Sequence, residues 1–427
     1  MKTNSIAAKI AEHKKGNRGG IVSVCSAHPA VIAVAADLAR RTGEILLIES
    51  TSNQVDQFGG YTGLTPQQFI TQTREFLAEH CPDAPTAVFG GDHLGPNRWQ
   101  HLPPEEAMQN SEELVRQYVA AGYDKIHLDC SMSCTGDPVP LPDEIVAERA
   151  ARLCRIAEDT RKNMKDAVPL VYIIGTEVPV PGGAKETLHE VSPTSPDAAR
   201  TTYAIHRNTF AAHGLGDDVW QRVIALVVQP GVEFDHNSVI DYQPEQATKL
   251  SAVANEFPYA IFEAHSTDYQ TAKAFKSLVC DHFAILKVGP ALTFAYREAI
   301  YALNHIAHEL GLSAPDVQEK AEQLMLAAPE QWQKYYHGDA QTQKLLRHYS
   351  LSDRIRYYWS QPQLDEAVQG LLAAFGDSPL PFGLAHQYLP QAVEICHDNK
   401  AALTTKNLIF FNIYAALEPY FTAVSSK

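Results

Sequence analysis

In this 427-residue chain, polar residues able to do chemistry recur directly after short apolar runs. The pattern occurs eight times. Ser26 and His28 follow the first run, and Glu49, Ser52, Asn53 and Gln54 follow the second. Asp92, His93, Asn97 and Arg98 follow the third, in GGDHLGPNRW, and Asp129 and Ser131 the fourth, in HLDCSMSC. Glu177 follows the fifth, and Gln229, Glu233, Asp235 and His236 the sixth. Glu263, His265, Ser266 and Thr267 close the seventh, and Lys287 and Gly289 the eighth. One histidine after a strand is more often a hydrogen-bonded structural residue than a ligand. Eight polar ends together are hard to explain as decoration, because charges buried at one mouth repel and lose their hydration.

A divalent cation would compensate them. His93, Glu233 and His265 are nitrogen and oxygen ligand types on the third, sixth and seventh runs and would converge on one ion. Zinc is the first expectation, with manganese, cobalt or nickel as alternatives. Asp92, Glu177 or Asp129 would then serve as general base beside it. Lys287 admits a different chemistry, since a buried strand-end lysine can form a Schiff base with a ketone. The other readings of Lys287 are an ion-paired or a phosphate-binding lysine. Phosphate recognition calls for backbone N–H groups and small hydroxyls near the seventh and eighth runs. Ser266, Thr267, Lys287 and Gly289 suit that role, and Ser26, Asn53, Gln54 and Ser131 extend the substrate-binding set. In SDRIRYYW, Arg354 and Arg356 stand beside Tyr357 and Tyr358, and arginine is the better bidentate phosphate ligand.

The elements that must position these residues alternate. The runs are Ile21–Cys25, Ile45–Ile48, Ala87–Phe89, Lys125–Leu128, Leu170–Ile174, Val223–Val228, Ala260–Phe262 and Phe283–Leu286. Continuous apolar runs of this length read as strands buried on both faces. Helical patterns lie between them. AVIAVAADLARR ends in two arginines and Gly43, a helix stop. In PDEIVAERAARLCRIAEDTRK, Val146, Ala150, Leu153 and Ala157 form one stripe. Eight strand–helix units close most economically as a (β/α)8 barrel, whose active site lies at the C-terminal ends of the strands. The barrel is expected over residues 1–310, completed by a helix at Ala295–Leu310, with residues 311–427 as a helical extension. An open doubly wound sheet fits less well, because the first turn, CSAHP, lacks a glycine-rich phosphate fingerprint. No nucleotide is therefore expected.

Composition narrows the class. Apolar residues make up 45% and charged residues 20%, which suits a large core and excludes a disordered chain. The net charge of −15 argues against sequence-independent nucleic-acid binding, which needs a basic face. No apolar run approaches the ~18 residues of a membrane span. The N-terminal stretch has charge but no apolar core of a signal peptide, so a cytoplasmic location is expected. The seven cysteines read as free thiols, since the Cys130–Cys134 spacing has no second pair to complete a zinc ribbon.

GGDHLGPNRW, KIHLDCSMSC, IGTEVPVPGGA, VVQPGVEFDH, EAHSTDYQT and HFAILKVGPALTF resemble the GatZ/KbaZ family. Members are called the Z subunit of D-tagatose-1,6-bisphosphate aldolase, and some carry a tagatose-6-phosphate kinase name. The resemblance runs from about Ser23 to about Trp359 and is looser beyond. The chain contains neither a Walker A motif nor a kinase glycine-rich loop, so the kinase name is discounted. The same blocks are distantly similar to metal-dependent class II aldolases. That likeness places Asp92 at the catalytic aspartate, His93 and His265 at metal histidines, and Lys287 in a similar strand. It departs at the sixth strand, where the aldolases have a histidine and this chain has GVEF.

The resemblance implies two functions. One is a D-tagatose 6-phosphate 4-epimerase working by retro-aldol cleavage at C3–C4 and re-addition to the turned aldehyde. The other is a non-catalytic partner of a Y-type aldolase subunit, for which the aromatic run 332–359 would supply an apolar surface. Either places the chain in galactitol or N-acetylgalactosamine catabolism, with a ketohexose phosphate as ligand. A homo-oligomer fits both.

Overall fold

The computed structural model describes residues 3–165, 167–176 and 191–425. Glu177 lies outside the described residues. The strands are β1 (Ile21–Val24), β2 (Leu47–Thr51), β3 (Val88–Leu94), β4 (Lys125–Leu128), β5 (Val171–Ile174), β6 (Val223–Val228), β7 (Glu233–Phe234), β8 (Val239–Ile240), β9 (Ile261–Ala264) and β10 (Phe283–Val288). Eight of them form a closed parallel barrel in the order β1-β10-β9-β6-β5-β4-β3-β2. The pair β7 and β8 is an antiparallel hairpin on the β6 loop. Every residue of β1, β4, β5, β6, β9 and β10 is buried, as expected for strands covered by helices on one side and barrel interior on the other.

The eight expected strands are all present, but four run further, β9 and β10 by two residues each and β2 and β3 by more. β2 continues through Glu49 to Thr51, and β3 continues through Gly90, Gly91 and Asp92 to Leu94. Their polar ends are thus held by sheet hydrogen bonds rather than by loops. The helical cues also recur. Gly43 ends the helix Pro29–Thr42 at φ 74°, a left-handed position that glycine adopts without strain. Val146, Ala150, Leu153 and Ala157 all face inward from the helix Asp143–Lys162. Proline opens many of the helices, where its missing N–H costs nothing.

Two segments complete the barrel from outside the repeat. The helix Ser5–Lys14 plugs the end where the strands begin. Asn4 caps it and also donates to the carbonyls of Asp124 and Pro169, just ahead of β4 and β5. Ile6 and Ile10 are buried beneath it, and His13 meets His282 ahead of β10 at 3.0 Å.

The helix Thr405–Val424 packs against Pro29–Thr42, against Ala272–Cys280 and against β1. It therefore fills the place in the wall expected for Ala295–Leu310. The helix that follows β10, Pro290–Glu309, packs outside it. Tyr420 stacks 3.8 Å from Phe275, its hydroxyl donates to the Thr267 carbonyl, and the Gly20 N–H donates to the Val424 carbonyl. The last described helix is thus part of the barrel wall.

Candidate active site at the barrel mouth

The site is built on alternation. Successive strand side chains point to opposite faces, so Lys125, His127 and Asp129 share the inner face of β4 and its end, as Glu263 and His265 do on β9. His93, His127 and His265 meet at the centre. Their ring centroids are 5.0 Å (His93–His265), 5.1 Å (His93–His127) and 5.3 Å (His127–His265) apart.

Each imidazole is held by its own carboxylate. His93 Nδ1 donates to Asp129 Oδ2 at 2.7 Å and His265 Nε2 to Glu263 Oε1 at 2.9 Å, while His127 Nδ1 lies 3.0 Å from Asp92 Oδ1 and 3.2 Å from the His93 backbone nitrogen. Such pairs fix the ring and leave the opposite nitrogen free for a ligand. His127 Nε2 is buried and has no hydrogen-bond partner among the described residues. Asp92, His127, Glu263 and His265 bring ligand atoms within 4.8 Å of one another.

Two lysines hold the carboxylates. Lys125, fully buried, bridges Glu49 at 2.6 Å and Glu263 at 2.8 Å. Lys287 bridges Glu49 and Asp92, the latter at 2.7 Å. Burial alone would raise Asp92, Glu49, Glu263 and Asp129, but the neighbouring lysines and histidines outweigh it and hold all four below the usual carboxylate range. Burial would likewise lower both lysines, yet the carboxylates keep them above their ordinary value. Lys287 is therefore an ion-paired ammonium, which is no nucleophile for a Schiff base. Burial holds His265 down at about 4, so it is a neutral imidazole ready to ligate.

Four carboxylates outnumber two ammonium groups here, and although burial would lower His93, the carboxylates of Asp92 and Asp129 outweigh it and raise that imidazole above its ordinary value. The excess of carboxylates and the unpartnered His127 nitrogen fit a divalent cation. The ligand atoms that converge are those of Asp92, His127, Glu263 and His265, with the His93 ring 5.0 Å from that of His265, and a set holding imidazoles suits zinc and its transition-metal neighbours.

The backbone is bent to make this arrangement. His93 (φ 48°) and Ser266 (φ 53°) lie in the left-handed region, a cost of about 1–3 kcal/mol each that functional sites commonly carry. The glycines of GGDHLG are packing requirements. A Cβ on Gly90 would stand 2.5 Å from the Glu49 carboxylate, and one on Gly95 would stand 1.7 Å from the Asp129 carbonyl.

Other residues singled out in the sequence are placed differently. Glu233 sits on the β7–β8 hairpin, where its carboxylate accepts from the Phe234 N–H and burial lifts it to about 7. It is not among the converging ligand atoms, and His127 takes the expected third position. Asp129 is spent on His93 and on Ser131, whose hydroxyl donates at 2.6 Å, so Asp129 orients rather than faces the pocket. Arg354 stacks on Tyr335 at 3.4 Å and bonds the Gln331 carbonyl, within the extension. His236 is tied to Ser350 and Tyr335, which fastens that extension to the barrel.

Arg356 does reach the pocket. It shares the wall with Asn53, Gln54, Tyr61, Asp92, His93, His265, Ser266, Lys287 and Gly289. Ser26 lies on the adjoining cleft, and its hydroxyl accepts the His28 N–H. Thr267 instead donates to the Lys287 carbonyl, and the Gly289 N–H donates to Asp268 at 3.0 Å. Lys125, His127 and Asp268 escaped the sequence reading. Lys125 and His127 lie inside an apolar run rather than after it, and only their two-residue spacing marks them.

Fold and site together define a (β/α)8 barrel protein with a carboxylate-braced imidazole centre at its mouth. The chain belongs to the family described as D-tagatose-1,6-bisphosphate aldolase subunit GatZ/KbaZ-like, which it matches over residues 6–425. It is similar to a crystal structure described as a probable tagatose 6 phosphate kinase from Sinorhizobium meliloti 1021. The identity there is 44%, covering 95% of this chain and 100% of that one, with a TM-score of 0.86. The fold is shared with fructuronate-tagaturonate epimerase UxaE from Cohnella laeviribosi, at 12% identity, 95% and 81% coverage and a TM-score of 0.51. No described helix is long and apolar enough to cross a membrane.

Proposed function

We propose that the protein is a metal-dependent ketohexose-phosphate epimerase that interconverts D-tagatose 6-phosphate and D-fructose 6-phosphate at C4. The observation that carries this is the three-imidazole centre beside the Asp92–Lys287 pair. A divalent cation held by His127 and His265 beside His93 would act as a Lewis acid on the ketose oxygens.

The chain's own residues supply the proton chemistry. Asp92 Oδ1 is taken by Lys287 and His127, and Oδ2, which meets Cys25 Sγ at 3.9 Å and His93 Nε2 at 3.7 Å, would accept the C4 hydroxyl proton. The C3–C4 bond then breaks. Its electron pair becomes the C2–C3 double bond of an enediolate, and C4 becomes an aldehyde. After the aldehyde turns, the pair re-forms C3–C4 on the other face and Asp92 returns the proton to the C4 oxygen. The Lys287 ammonium steadies the negative charge throughout. Arg356, whose guanidinium bonds the Asp353 carbonyl and the Tyr357 hydroxyl, offers the cation for the sugar's phosphate.

The test is metal analysis of the purified protein, with incubation on D-tagatose 6-phosphate and sugar analysis of the product. Fructose 6-phosphate and a bound transition metal are expected. A folded protein that turns over no ketohexose phosphate would overturn the reading. The second reading, a supporting subunit of an aldolase, draws on the family description and on Leu326, Leu345 and Tyr349, exposed on the extension. Co-purification with a Y-type subunit, and a rise in that subunit's aldolase activity, would favour it.

A further inference from the structure

We infer that Asp268 makes this pocket selective for ketose monophosphates, by filling the cradle in which the second phosphate of a bisphosphate would sit. The inference rests on the ketose-phosphate reading above and names its substrate class.

In (β/α)8 barrels the usual phosphate cradle is formed by the loops after the seventh and eighth barrel strands, with a helix N-terminus behind them. Here those loops follow β9 and β10, and the helix is the twenty-residue Pro290–Glu309. The N–H groups that would face a phosphate belong to Gly289 and Ala291. Both donate to one oxygen of Asp268, at 3.0 and 2.9 Å. The carboxylate supplies in cis the negative charge that a phosphate would bring.

Asp268 belongs to the substrate pocket and is fixed there. It is 3% exposed and lines the same wall as Asp92, His265 and Lys287. Its loop is pinned on both sides. The Thr267 hydroxyl donates to the Lys287 carbonyl, and the Thr267 carbonyl accepts from the Tyr420 hydroxyl. Ser266 and Tyr269, flanking it, both have left-handed backbone, at φ 53° and φ 64°. A dianion at this end would have to displace a buried carboxylate or lie against it. A sugar hydroxyl meets neither obstacle and can donate to the carboxylate.

The experiment compares the metal-loaded wild-type protein with Asp268→Ser and Asp268→Asn. Serine vacates the cradle and frees both N–H groups. Asparagine keeps the shape and an acceptor oxygen but removes the charge, and it guards against a serine variant that fails to fold. Each form is assayed on a ketohexose 6-phosphate and on the matching 1,6-bisphosphate, and is titrated with inorganic phosphate by calorimetry.

The wild type is expected to favour the monophosphate by about 100-fold or more in kcat/KM, the scale set by a mismatched polar site. Asp268→Ser should narrow that ratio at least about tenfold and gain a phosphate-binding event. Asp268→Asn should narrow it less. A wild type that handles the bisphosphate equally well would overturn the inference. So would a folded serine variant with an unchanged ratio and no gain in phosphate binding. If no form turns over either sugar phosphate, the epimerase reading fails, and the phosphate titration alone decides the role of Asp268. A gain in the serine variant over wild type upholds it, and no gain in folded protein overturns it.

Discussion

Asp92 sits where three demands meet: it braces His127, pairs with Lys287 and keeps one oxygen toward the pocket. Replacing it by asparagine keeps its shape and removes its basicity. Turnover should fall about 10²–10⁴-fold, the usual worth of a positioned general base. Metal content, read by elemental analysis of the same sample, should stay largely intact. His127→Ala should behave differently and lose metal and turnover together. If that variant keeps a full equivalent of metal, His127 is not a ligand. His93 and His265 were legible because each follows an apolar run, in DHLG and EAHS. His127 was not, because KIHL reads as ordinary strand until its alternate residues are seen to face a barrel interior. Glu233 was misleading for a related reason. Sequence order places it after β6, but on the β7–β8 hairpin its carboxylate is buried and accepts from the Phe234 N–H.

The strands were readable as elements, and their extents were not. β2 and β3 continue past the apolar residues because Glu49 and Asp92 are satisfied inside the barrel by lysines from β4 and β10. A polar stretch looks like loop unless its partners are known. Lys125 is the clearest case, an ammonium with no solvent exposure between two carboxylates. Lys125→Met should leave Glu49 with Lys287 alone and Glu263 with only the His265 imidazole, and cost roughly 3–5 kcal/mol, the penalty of breaking a buried ion pair. The shift in a urea unfolding midpoint measures it, and an unshifted midpoint would mean that the network is not held by this lysine. The helix Thr405–Val424 was legible only as part of a helical extension over 311–427 and not as barrel wall, since nothing in its sequence states where it packs. Phe421 is 1% exposed on it. Phe421→Ala should lower the stability of the whole barrel by about 3–5 kcal/mol in one cooperative transition. A separate early melting step confined to the C-terminal helices would show instead that they form an independent unit.

At the scale of the whole molecule, acid should unfold the protein partly through its buried histidines. Burial holds His28, His206 and His348 down at about 4, against an ordinary value near 6.5. Each is neutral in the folded chain and takes up a proton more readily when unfolded. Their contribution is complete above about pH 6.5 and is lost as the pH falls toward 4. For fully buried His206 the loss is on the order of 3 kcal/mol. The thermal midpoint should therefore drop steeply over that interval, and His206→Gln should flatten the drop. An equal slope in the variant would remove His206 from the account. The barrel class itself was legible because eight strand–helix units leave few closures, whereas the charge balance inside it was not, because it joins residues from five strands. One consequence concerns synthesis. The Gly20 N–H finds its partner on Val424, so the seam beside β1 stays open until about 400 further residues have been made. At 5–20 residues per second, the nascent chain carries the uncovered outer face of β1 for roughly 20–80 s. Chaperone dependence during translation, more than fragility of the finished fold, is where this architecture is most exposed.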